Sequence, residues 1–371
     1  MAGKNKCLIC LDEIFEFNFS LKNSVSSDSK FFNKSIVHMY CNNCGYIFIK
    51  PEKRLDISSF YEMDYDFLLD GEIEPSLNEK KYSENLVDFF APFIIRNSEK
   101  SFFDIGAGKG NLLEAFFSRF TNLKYTALEP SKAYHLLKNK KFINESYNSF
   151  FNSSNFKYKF DFLSLIGVLE HVPDPKLFLL DIRKIMHQET LLLIEVPNFL
   201  NDKADLMTID HISKFTNQSL ENIFNITGFE IVKKQILSDS VPMKYIVKIS
   251  ENKNLNKINI KPTLNEAKKY LNNILSDAKK IQNEKIAIYG QGLIAVYLLG
   301  SKIFDAEKIS CLIEDNPLYW GKLFKNNIPI VDFNTFKIKY NNKKIFLAMN
   351  DCYHNNVTIK LNEHDVYGSL L

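Results

Sequence analysis

The stretch KSFFDIGAGKGNLLEAFFSRF, residues 100–120, decides the fold of this chain. KSFFDIG is a short apolar run typical of a buried strand, and NLLEAFFSRF has the apolar spacing of a helix. Between them, Gly106, Gly108 and Gly110 allow the backbone to turn sharply and to approach a ligand without a Cβ in the way. The stretch therefore predicts a strand, a ligand-binding turn and a helix.

The sequence that follows repeats this alternation of strand and helix. It is predicted to run as strand 123–130, helix 131–140, strand 160–166 with its exit loop to 172, helix 175–186 and strand 190–199. Apolar runs of about five residues separated by helices indicate a parallel sheet that is covered on both faces. A helix, a glycine stop and a strand within 219–237 close the unit, and residues 241–250 are predicted as an edge strand.

A second unit of strand, glycine turn and helix lies at 285–303, KIAIYGQGLIAVYLLGSKI. A Lys- and Asn-rich linker and a long helix, predicted at Thr263–Gln282, come before it. Its next strand ends in Glu314-Asp315, as in a dinucleotide site. Three interpretations stay open for Gly290 and Gly292: they bind the nucleotide of a substrate, they bind NAD, or they belong to a Rossmann-like unit with a structural role only.

Length and composition bound the class of protein. The 371 residues are too many for one ordinary core, so two or three domains are expected. A net charge of +3 is too small to indicate binding to nucleic acid or to a membrane surface. The N-terminus has no apolar run like that of a signal peptide, and no stretch approaches about 18–20 uninterrupted apolar residues. We therefore expect a cytoplasmic protein that acts on a small molecule, with the oligomeric state open between monomer and dimer.

Four of the six cysteines form two Cys-x-x-Cys pairs, Cys7 with Cys10 and Cys41 with Cys44. Each pair places two thiolates on one turn, where both can reach the same side of a tetrahedral ion. In a chain without a secretory signal, such pairs favour a metal over disulfides. We predict a closed, structural Zn²⁺ site; reduced cysteines of a core are the alternative. His38 is near enough in sequence to be a substitute ligand, but a lone His there is more often a surface residue.

Acidic residues flank the first glycine turn at the two places where a nucleoside cofactor needs them. Asp104 ends the strand before the turn, where a carboxylate can pair with the cationic amino-acid end of S-adenosylmethionine (SAM). Glu129, followed by Pro130, ends the next strand, where an acid binds ribose hydroxyls.

A third feature makes SAM the predicted cofactor. FDFLSLIGVLEHVPDP, residues 160–175, resembles the post-strand motif of class I methyltransferases, and its loop from Gly167 to Glu170 would lie under the sulfonium. A nicotinamide cofactor shares the strand, glycine turn and helix but lacks this motif. A glycine turn without any ligand is the remaining alternative.

Histidines are the natural bases for methyl transfer to an acceptor that must lose a proton, because their unperturbed pKa of about 6.5 is close to working pH. His171 follows the strand that faces SAM, and Asp210-His211 follows the strand that ends at Asn198, so both histidines are expected at the same edge of the sheet. The alternative for each is a loop histidine that caps a helix or a carbonyl.

The segment FYEMDYDFLL, residues 60–69, adds aromatic and acidic side chains before the cofactor domain. Tyr61, Asp64 and Tyr65 could cover the cofactor or clamp the acceptor; packing between domains is the alternative.

The whole chain resembles the three-part SAM-dependent methyltransferases whose best-known members are sugar C-methyltransferases acting on nucleotide-linked keto-deoxysugars. CLIC with YCNNCGYIF looks like their four-cysteine zinc motifs, and DIGAGKGNLLE looks like their SAM loop. FYEMDYDF resembles their Tyr-containing segment, and YGQGLIAVYLLG, IEDNPLYWGK, IPIVDF and IFLAMND resemble their C-terminal domain. The resemblance implies an α/β protein with a small zinc-binding domain at 1–55, a central class I, Rossmann-like SAM methyltransferase domain at 56–250 and a second Rossmann-like domain at 251–371.

The family's active site carries a His–Glu–His run within a motif that ends in Ser-Tyr-Phe-Ser, and the matching stretch here is IDHISKFT, residues 209–216. Its last His is retained as His211, whereas the Glu appears as Asp210 and the Tyr as Lys214, which is expected to contact the substrate. His171 matches the family's histidine after the fourth strand. These departures concern the residues that would deprotonate carbon, so methylation of oxygen or nitrogen stays open.

The sequence thus favours a SAM-dependent methyltransferase that acts on a nucleotide-linked sugar. Two hypotheses remain beside it: an O- or N-methyltransferase acting on a non-nucleotide metabolite, and a binding module without turnover. The first glycine turn with its acidic residues, Asp104 and Glu129, argues against a binding module without turnover.

Overall fold

A computed structural model describes residues 6–64, 76–77, 80–94, 99–251, 254–340 and 344–363 of the chain. The predicted α/β class is confirmed, with a seven-stranded central sheet, a five-stranded sheet formed by the C-terminal part and a four-stranded sheet near the N-terminus. Within the described ranges, no helix is both long and apolar enough to cross a bilayer.

The central sheet begins with five parallel strands, of which four were predicted from the apolar runs and Ile143–Tyr147 was not. From one edge the strands follow the order Ile143–Tyr147, Leu123–Leu128, Lys100–Ile105, Phe160–Ile166, Met186–Pro197, Pro242–Ile249 and Phe229–Ile236. The chain starts in the middle of the sheet and moves outward to each side. The carboxyl ends of Lys100–Ile105 and Phe160–Ile166 consequently lie side by side, which is where α/β sheets bind ligands.

The prediction of residues 241–250 as an edge strand is wrong. Pro242–Ile249 runs antiparallel between Met186–Pro197 and Phe229–Ile236, so the edge is formed by the strand that precedes it in sequence. The burial pattern agrees with this position, since Met243, Tyr245 and Val247 are fully buried while Phe229–Ile236 is largely exposed or half-buried.

Helices cover both faces of this sheet. Those of the central part are Tyr82–Phe90, Asn111–Phe117, Tyr134–Leu137, Pro175–Ile182 and Asn217–Thr227. Asn217–Thr227 has the predicted glycine stop, since Gly228 adopts φ +74°, and a capping box of Thr216 with Ser219 begins it.

Two predicted helices are shorter than expected. Residues 131–140 form only the single turn Tyr134–Leu137, and the helix predicted to reach Met186 ends at Ile182. Met186 instead begins a strand, because it pairs with Phe160 at the start of the neighbouring strand.

The N-terminal sheet has the order Phe15–Leu21, Ile36–Tyr40, Ile47–Ile49 and Ser213–Lys214, and all its strands are antiparallel. Its fourth strand comes from the central part of the chain, since Ser213 pairs with Phe48. Two-stranded ribbons are formed by Ser24–Val25 with Phe31–Phe32 and by Ser76–Leu77 with Lys80–Lys81.

The C-terminal sheet has the order Leu323–Phe324, Ile328–Val331, Ile309–Ile313, Ile286–Tyr289 and Lys344–Leu347. Its strands are parallel except for the first, and the helices are Lys261–Ile281, Leu293–Gly300, Phe333–Tyr340 and His354–Glu363. The long helix agrees closely with the predicted Thr263–Gln282. It begins near Pro262, whose missing N–H is not needed in the first turn.

Apolar packing joins these parts instead of separating them. One continuous core contains Phe17 and Ile47 of the N-terminal sheet together with Leu264, Leu271 and Ile288 of the C-terminal part. The boundaries 1–55, 56–250 and 251–371 stay predictions, although each range does contain one of the three main sheets apart from the strand Ser213–Lys214.

Candidate active site

A cleft of 2630 Å³ lies between the carboxyl end of the central sheet and the C-terminal part. The glycine turn after Lys100–Ile105 lines one wall, and the second glycine turn, with Gly290 and Gly292, lines the opposite wall. The two glycine turns that the sequence singled out thus face one shared space. Asn350 and Asp202 both line the cleft, and the side-chain amide of Asn350 donates to Asp202 Oδ1 over 2.6 Å.

The first glycine turn has the backbone shape that only glycine adopts easily. Gly106 has φ +79°, and a Cβ there would lie 2.5 Å from Val168 Cγ2. Gly106 and Gly108 line the cleft. Gly110 does not line it: this residue, with φ +82°, begins the helix Asn111–Phe117 and packs against Leu137. Its position gives Gly110 a role in shaping the turn, and its contact with the cofactor stays a prediction.

Glu129 fastens the turn to the next strand. Gly108 N–H donates to its Oε2 and Ser131 N–H donates to its Oε1, each over 2.8 Å. The carboxylate is 4% exposed and lines the cleft beside Pro130, as predicted. Since each carboxylate oxygen can accept a second hydrogen bond, both oxygens still have capacity for ribose hydroxyls.

Asp104 lies at the end of its strand, at the bottom of the cleft. Ser164 Oγ donates to its Oδ1 over 2.6 Å. Burial raises the pKa of Asp104 to about 7, and the nearby charge of Glu129 acts in the same direction. A cation delivered by a ligand would relieve this penalty, which agrees with the predicted pairing to an ammonium group.

The two predicted histidines come together, as expected from the edge of the sheet. The rings of His171 and His211 are 4.8 Å apart between centroids and inclined by 73°. His171 lines the cleft, and Tyr61 packs edge-on against it with centroids 5.3 Å apart. His211 lies behind His171 and is 7% exposed.

Each imidazole is anchored through Nδ1. His211 Nδ1 is 2.7 Å from Asp205 Oδ1, and His171 Nδ1 is 3.0 Å from the carbonyl oxygen of Asp210. Burial would lower the pKa of His211, but the carboxylate of Asp205 outweighs this effect and raises it to about 9. Burial, helped by the charge of His211, lowers the pKa of His171 to about 4.

Gly167 and Glu170, both predicted to contact the cofactor, take different positions. Gly167 lines the cleft with φ +64°. Glu170 does not line it; its carboxyl is 3% exposed beside the histidines, and burial raises its pKa to about 7. Glu170 is therefore assigned to the histidine cluster.

Asp210 and Lys214 are both fully buried and do not line the cleft, and their predicted roles stay predictions. Asp210, expected to be catalytic, accepts from the N–H of Ser27 over 2.9 Å and from its Oγ over 2.5 Å, so its carboxylate holds the N-terminal part in place. Lys214, expected to contact the substrate, is fully buried and donates to the carbonyls of Thr208 and His211. Its ammonium lies 3.6 Å from Asp205, so it neutralises this carboxylate instead of reaching the cleft.

The aromatic segment can be placed only in part. Tyr61 lines the cleft. Tyr65, predicted to be catalytic, lies outside the described residues, and of Asp64 only the backbone is described.

Sequence reasoning missed several buried polar groups. Asp205, which orients His211, gave only the weak signal of an acid six residues before a histidine. Tyr82 donates to Glu195, whose carboxyl lies 3.8 Å from the ammonium of Lys244. Burial raises the pKa of Glu195 to about 8. For Glu195, the sequence signal was a single acid inside the apolar run TLLLIEVPNF.

The four cysteines of the two pairs converge, as predicted. All four Sγ atoms lie within 4.8 Å of one another, and the Cys7–Cys44 and Cys10–Cys41 separations are both 3.5 Å. A tetrahedral zinc with Zn–S bonds of about 2.3 Å spaces its sulfurs by about 3.8 Å, close to these values. Asn43 N–H points at Cys41 Sγ over 3.4 Å, as expected for a turn that stabilises thiolates.

His38 is not at the surface. Its ring is 1% exposed on the strand Ile36–Tyr40, and both ring nitrogens lack hydrogen-bond partners in the described part of the chain. Burial lowers its pKa to about 3, so it is neutral. It therefore lies apart from the cysteine cluster as a buried residue near Lys214.

Comparison with known proteins agrees with the central domain. Residues 77–234 match the sequence family described as a methyltransferase domain. This match covers the central part of the chain, where the methyltransferase domain was predicted. No curated protein matches the chain.

Solved structures similar to the chain include methyltransferases of several kinds. Mitomycin 7-O-methyltransferase is 16% identical with a TM-score of 0.38, over 45% of this chain and 54% of that one, so the chain spans about half its length. A SAM-dependent methyltransferase from Clostridium acetobutylicum ATCC 824 is 11% identical with a TM-score of 0.38, over 46% and 91%. The N,N-8-amino-8-demethyl-D-riboflavin dimethyltransferase of Streptomyces davawensis is 19% identical with a TM-score of 0.37, over 46% and 55%.

Proposed function

We propose that the protein transfers a methyl group from SAM to a small polar acceptor, with a nucleotide-linked sugar as the leading candidate. The observation that carries the proposal is the turn Gly106–Gly110 fastened by Glu129 at the carboxyl end of a parallel sheet. When bound, SAM would supply the methyl group and its own leaving group.

The residues present fit SAM. The carboxylate of Glu129 would accept from ribose hydroxyls, and Asp104 would hold the ammonium of the amino-acid end. Oδ2 of Asp104 has no hydrogen-bond partner among the described residues, so it is available for such a bond. Gly106 and Gly167 line the cleft with φ +79° and +64°, a backbone shape that glycine adopts easily.

His171 is the proposed base toward the acceptor. It is the histidine that lines the cleft, and its Nδ1 is fixed by the carbonyl of Asp210, so the ring cannot turn away freely. His211 would support it from behind, held by Asp205. The pair would orient the acceptor and accept its proton if the acceptor is an alcohol or an enolisable ketone.

The second glycine turn would hold the nucleotide of the acceptor. It faces the cleft opposite the SAM turn, and Lys322 lines the cleft near it. Gly292 has open space around its Cα, since a Cβ there would meet no atom within 4 Å. A nucleoside diphosphate bound between the walls would bring its sugar toward His171.

The four-cysteine cluster would hold a structural zinc. Its sulfurs have the spacing of a tetrahedral site, and among the described cysteines none forms a disulfide. Zinc there would stabilise the N-terminal sheet that pairs with Ser213–Lys214.

Incubation of the protein with SAM and a panel of nucleotide sugars, followed by mass spectrometry, tests the proposal. A gain of one methyl group on a nucleotide sugar supports it. Methylation of non-nucleotide alcohols or amines only, with no thermal shift by nucleoside diphosphates, would move the assignment to the O- or N-methyltransferase alternative. No binding of SAM by calorimetry would defeat both.

A further inference from the structure

Two histidines and a glutamate lie together at the wall of the cleft, and not all of their polar atoms have hydrogen-bond partners in the described part of the chain. Glu170, His171 and His211 each offer one ligand atom, and these atoms lie within 4.8 Å of one another. The three residues come from two loops at the carboxyl edge of the central sheet, the loop after Phe160–Ile166 and the segment before Ser213–Lys214.

Both histidines are oriented as metal-binding histidines commonly are. A ligating imidazole usually donates its other N–H to a carboxylate or a backbone carbonyl, which fixes the ring and leaves one nitrogen for the ion. His211 has Asp205 as this partner at 2.7 Å, and His171 has the carbonyl of Asp210 at 3.0 Å. Among the described residues, no hydrogen bond reaches Nε2 of either ring, so each Nε2 is available.

Glu170 gives an independent indication. Its residue is 3% exposed, and its Oε2 is buried with no hydrogen-bond partner in the described part of the chain. A buried carboxylate oxygen without a partner is destabilising unless a cation or a proton satisfies it.

The surrounding charges favour a cation. Besides Glu170, the buried carboxylates of Asp205 and Asp210 lie next to the histidines, at 2.7 Å from His211 and 3.8 Å from His171. Lys214, 3.6 Å from Asp205, is the one lysine paired with these groups in the described ranges. Three carboxylates face the ammonium of Lys214 and the imidazolium of His211, so the site keeps an excess of negative charge that favours a further cation.

We propose that Glu170, His171 and His211 bind a divalent transition-metal ion at the wall of the cleft. Two imidazoles and one carboxylate suit Zn²⁺, Mn²⁺, Fe²⁺, Co²⁺ or Ni²⁺ better than Ca²⁺ or Mg²⁺, which prefer oxygen ligands. Bonds of about 2.0–2.2 Å would bring the ligand atoms to about 3.0–3.5 Å from one another, so the side chains must move inward by about 1 Å.

Three protein ligands leave coordination positions open, and His171 places them toward the cleft. An oxygen of the acceptor would take such a position, which would lower the pKa of its hydroxyl or enol. This point rests on the proposed methyl transfer, and it narrows the acceptor to an oxygen-bearing group. It also changes the role of His171: with an ion bound, its Nε2 is a ligand, so the proton of the acceptor would pass to water in the cleft instead of to this ring. Binding of the ion itself does not depend on that function.

Cobalt separates this site from the cysteine cluster. The full-length protein, freed of metal by chelator, is titrated with Co²⁺ while absorption is recorded and bound cobalt is counted by mass spectrometry. Thiolate ligands give intense charge-transfer bands, whereas a site of nitrogen and oxygen gives only weak bands in the visible region. We expect one more cobalt equivalent in the wild type than in Glu170→Gln, with the thiolate bands unchanged.

The variant His171→Gln, at a half-exposed position of the wall, repeats the measurement if Glu170→Gln does not fold, and it should lose the same equivalent. Cys10→Ser should lose the thiolate bands and keep the weak ones. Equal cobalt content in the wild type and in a folded variant at Glu170 or His171 would overturn the proposal. If SAM still binds in calorimetry under that outcome, the proposed methyl transfer survives.

Discussion

Replacement of Glu129 by Gln is the most direct test of the proposed SAM site at the first glycine turn. The carboxylate receives two backbone N–H groups, from Gly108 and Ser131, at 2.8 Å each, and it would also receive the ribose hydroxyls of SAM. The amide keeps one acceptor oxygen and places an NH₂ group against the second N–H donor, so one backbone bond and one ribose bond are lost.

The expected weakening follows from the strength of such bonds. A hydrogen bond to a charged group contributes about 1.5–3 kcal/mol. Loss of the ribose bond alone should therefore raise the Kd for SAM by roughly 10- to 150-fold, since about 1.4 kcal/mol corresponds to a factor of ten. Loss of the backbone bond affects the order of the turn and should lower the melting temperature of the protein without ligand.

Isothermal calorimetry with SAM measures the first effect and thermal unfolding measures the second. Glu114→Gln is the matched control, because it removes the same charge from the helix that follows the turn, where the carboxylate is 63% exposed and paired with Lys140. Its Kd should stay within twofold of the wild type. The reasoning is refuted if Glu129→Gln folds normally and also binds SAM within twofold of the wild type.

Three further outcomes are expected. Gly292→Ala should have the melting temperature of the wild type, because φ is −70° and the new methyl group would have no atom within 4 Å. It should nevertheless reduce the rise in melting temperature that nucleoside diphosphates give. An unchanged rise would show that this turn does not belong to the substrate site. Cys10→Ser should lower the melting temperature by several degrees and reduce the bound zinc by one equivalent. Equal zinc content in the wild type and the variant would contradict the cysteine site. Glu195→Gln should weaken the pH dependence of the free energy of unfolding. The folded protein holds the proton of this carboxyl up to about pH 8, so the wild type loses stability as pH rises from about 4.5 to 8. Thermal unfolding at several pH values should show a smaller loss for the variant over that range.

The parts of the site that the sequence could predict are those encoded by local spacing. The glycine turn, the acids at 104 and 129 and the two cysteine pairs each lie within a few residues of a strand end or a tight turn. Local geometry is set by such spacing, so the structure places these residues as expected.

The parts that the sequence could not predict depend on long-range packing. Ser27 meets Asp210 across 183 residues, and no local pattern announces this hydrogen bond. Lys214 reads as a polar residue in a loop, but it is buried because it neutralises Asp205 under the N-terminal sheet. The place of Pro242–Ile249 inside the central sheet is likewise a matter of topology, since its alternation of side chains would suit an edge strand equally well.

The pairing of Phe48 with Ser213 has a consequence for how the chain matures during translation. About 165 residues must be synthesised after Phe48 before its partner leaves the ribosome, which takes roughly 8–33 s at about 5–20 residues per second. Throughout that interval the strand that contains Ile47 and Ile49, both fully buried in the folded protein, lacks the partner strand on one side. Zinc bound early between the two cysteine turns would hold the first three strands of the N-terminal sheet in register until Ser213–Lys214 is synthesised.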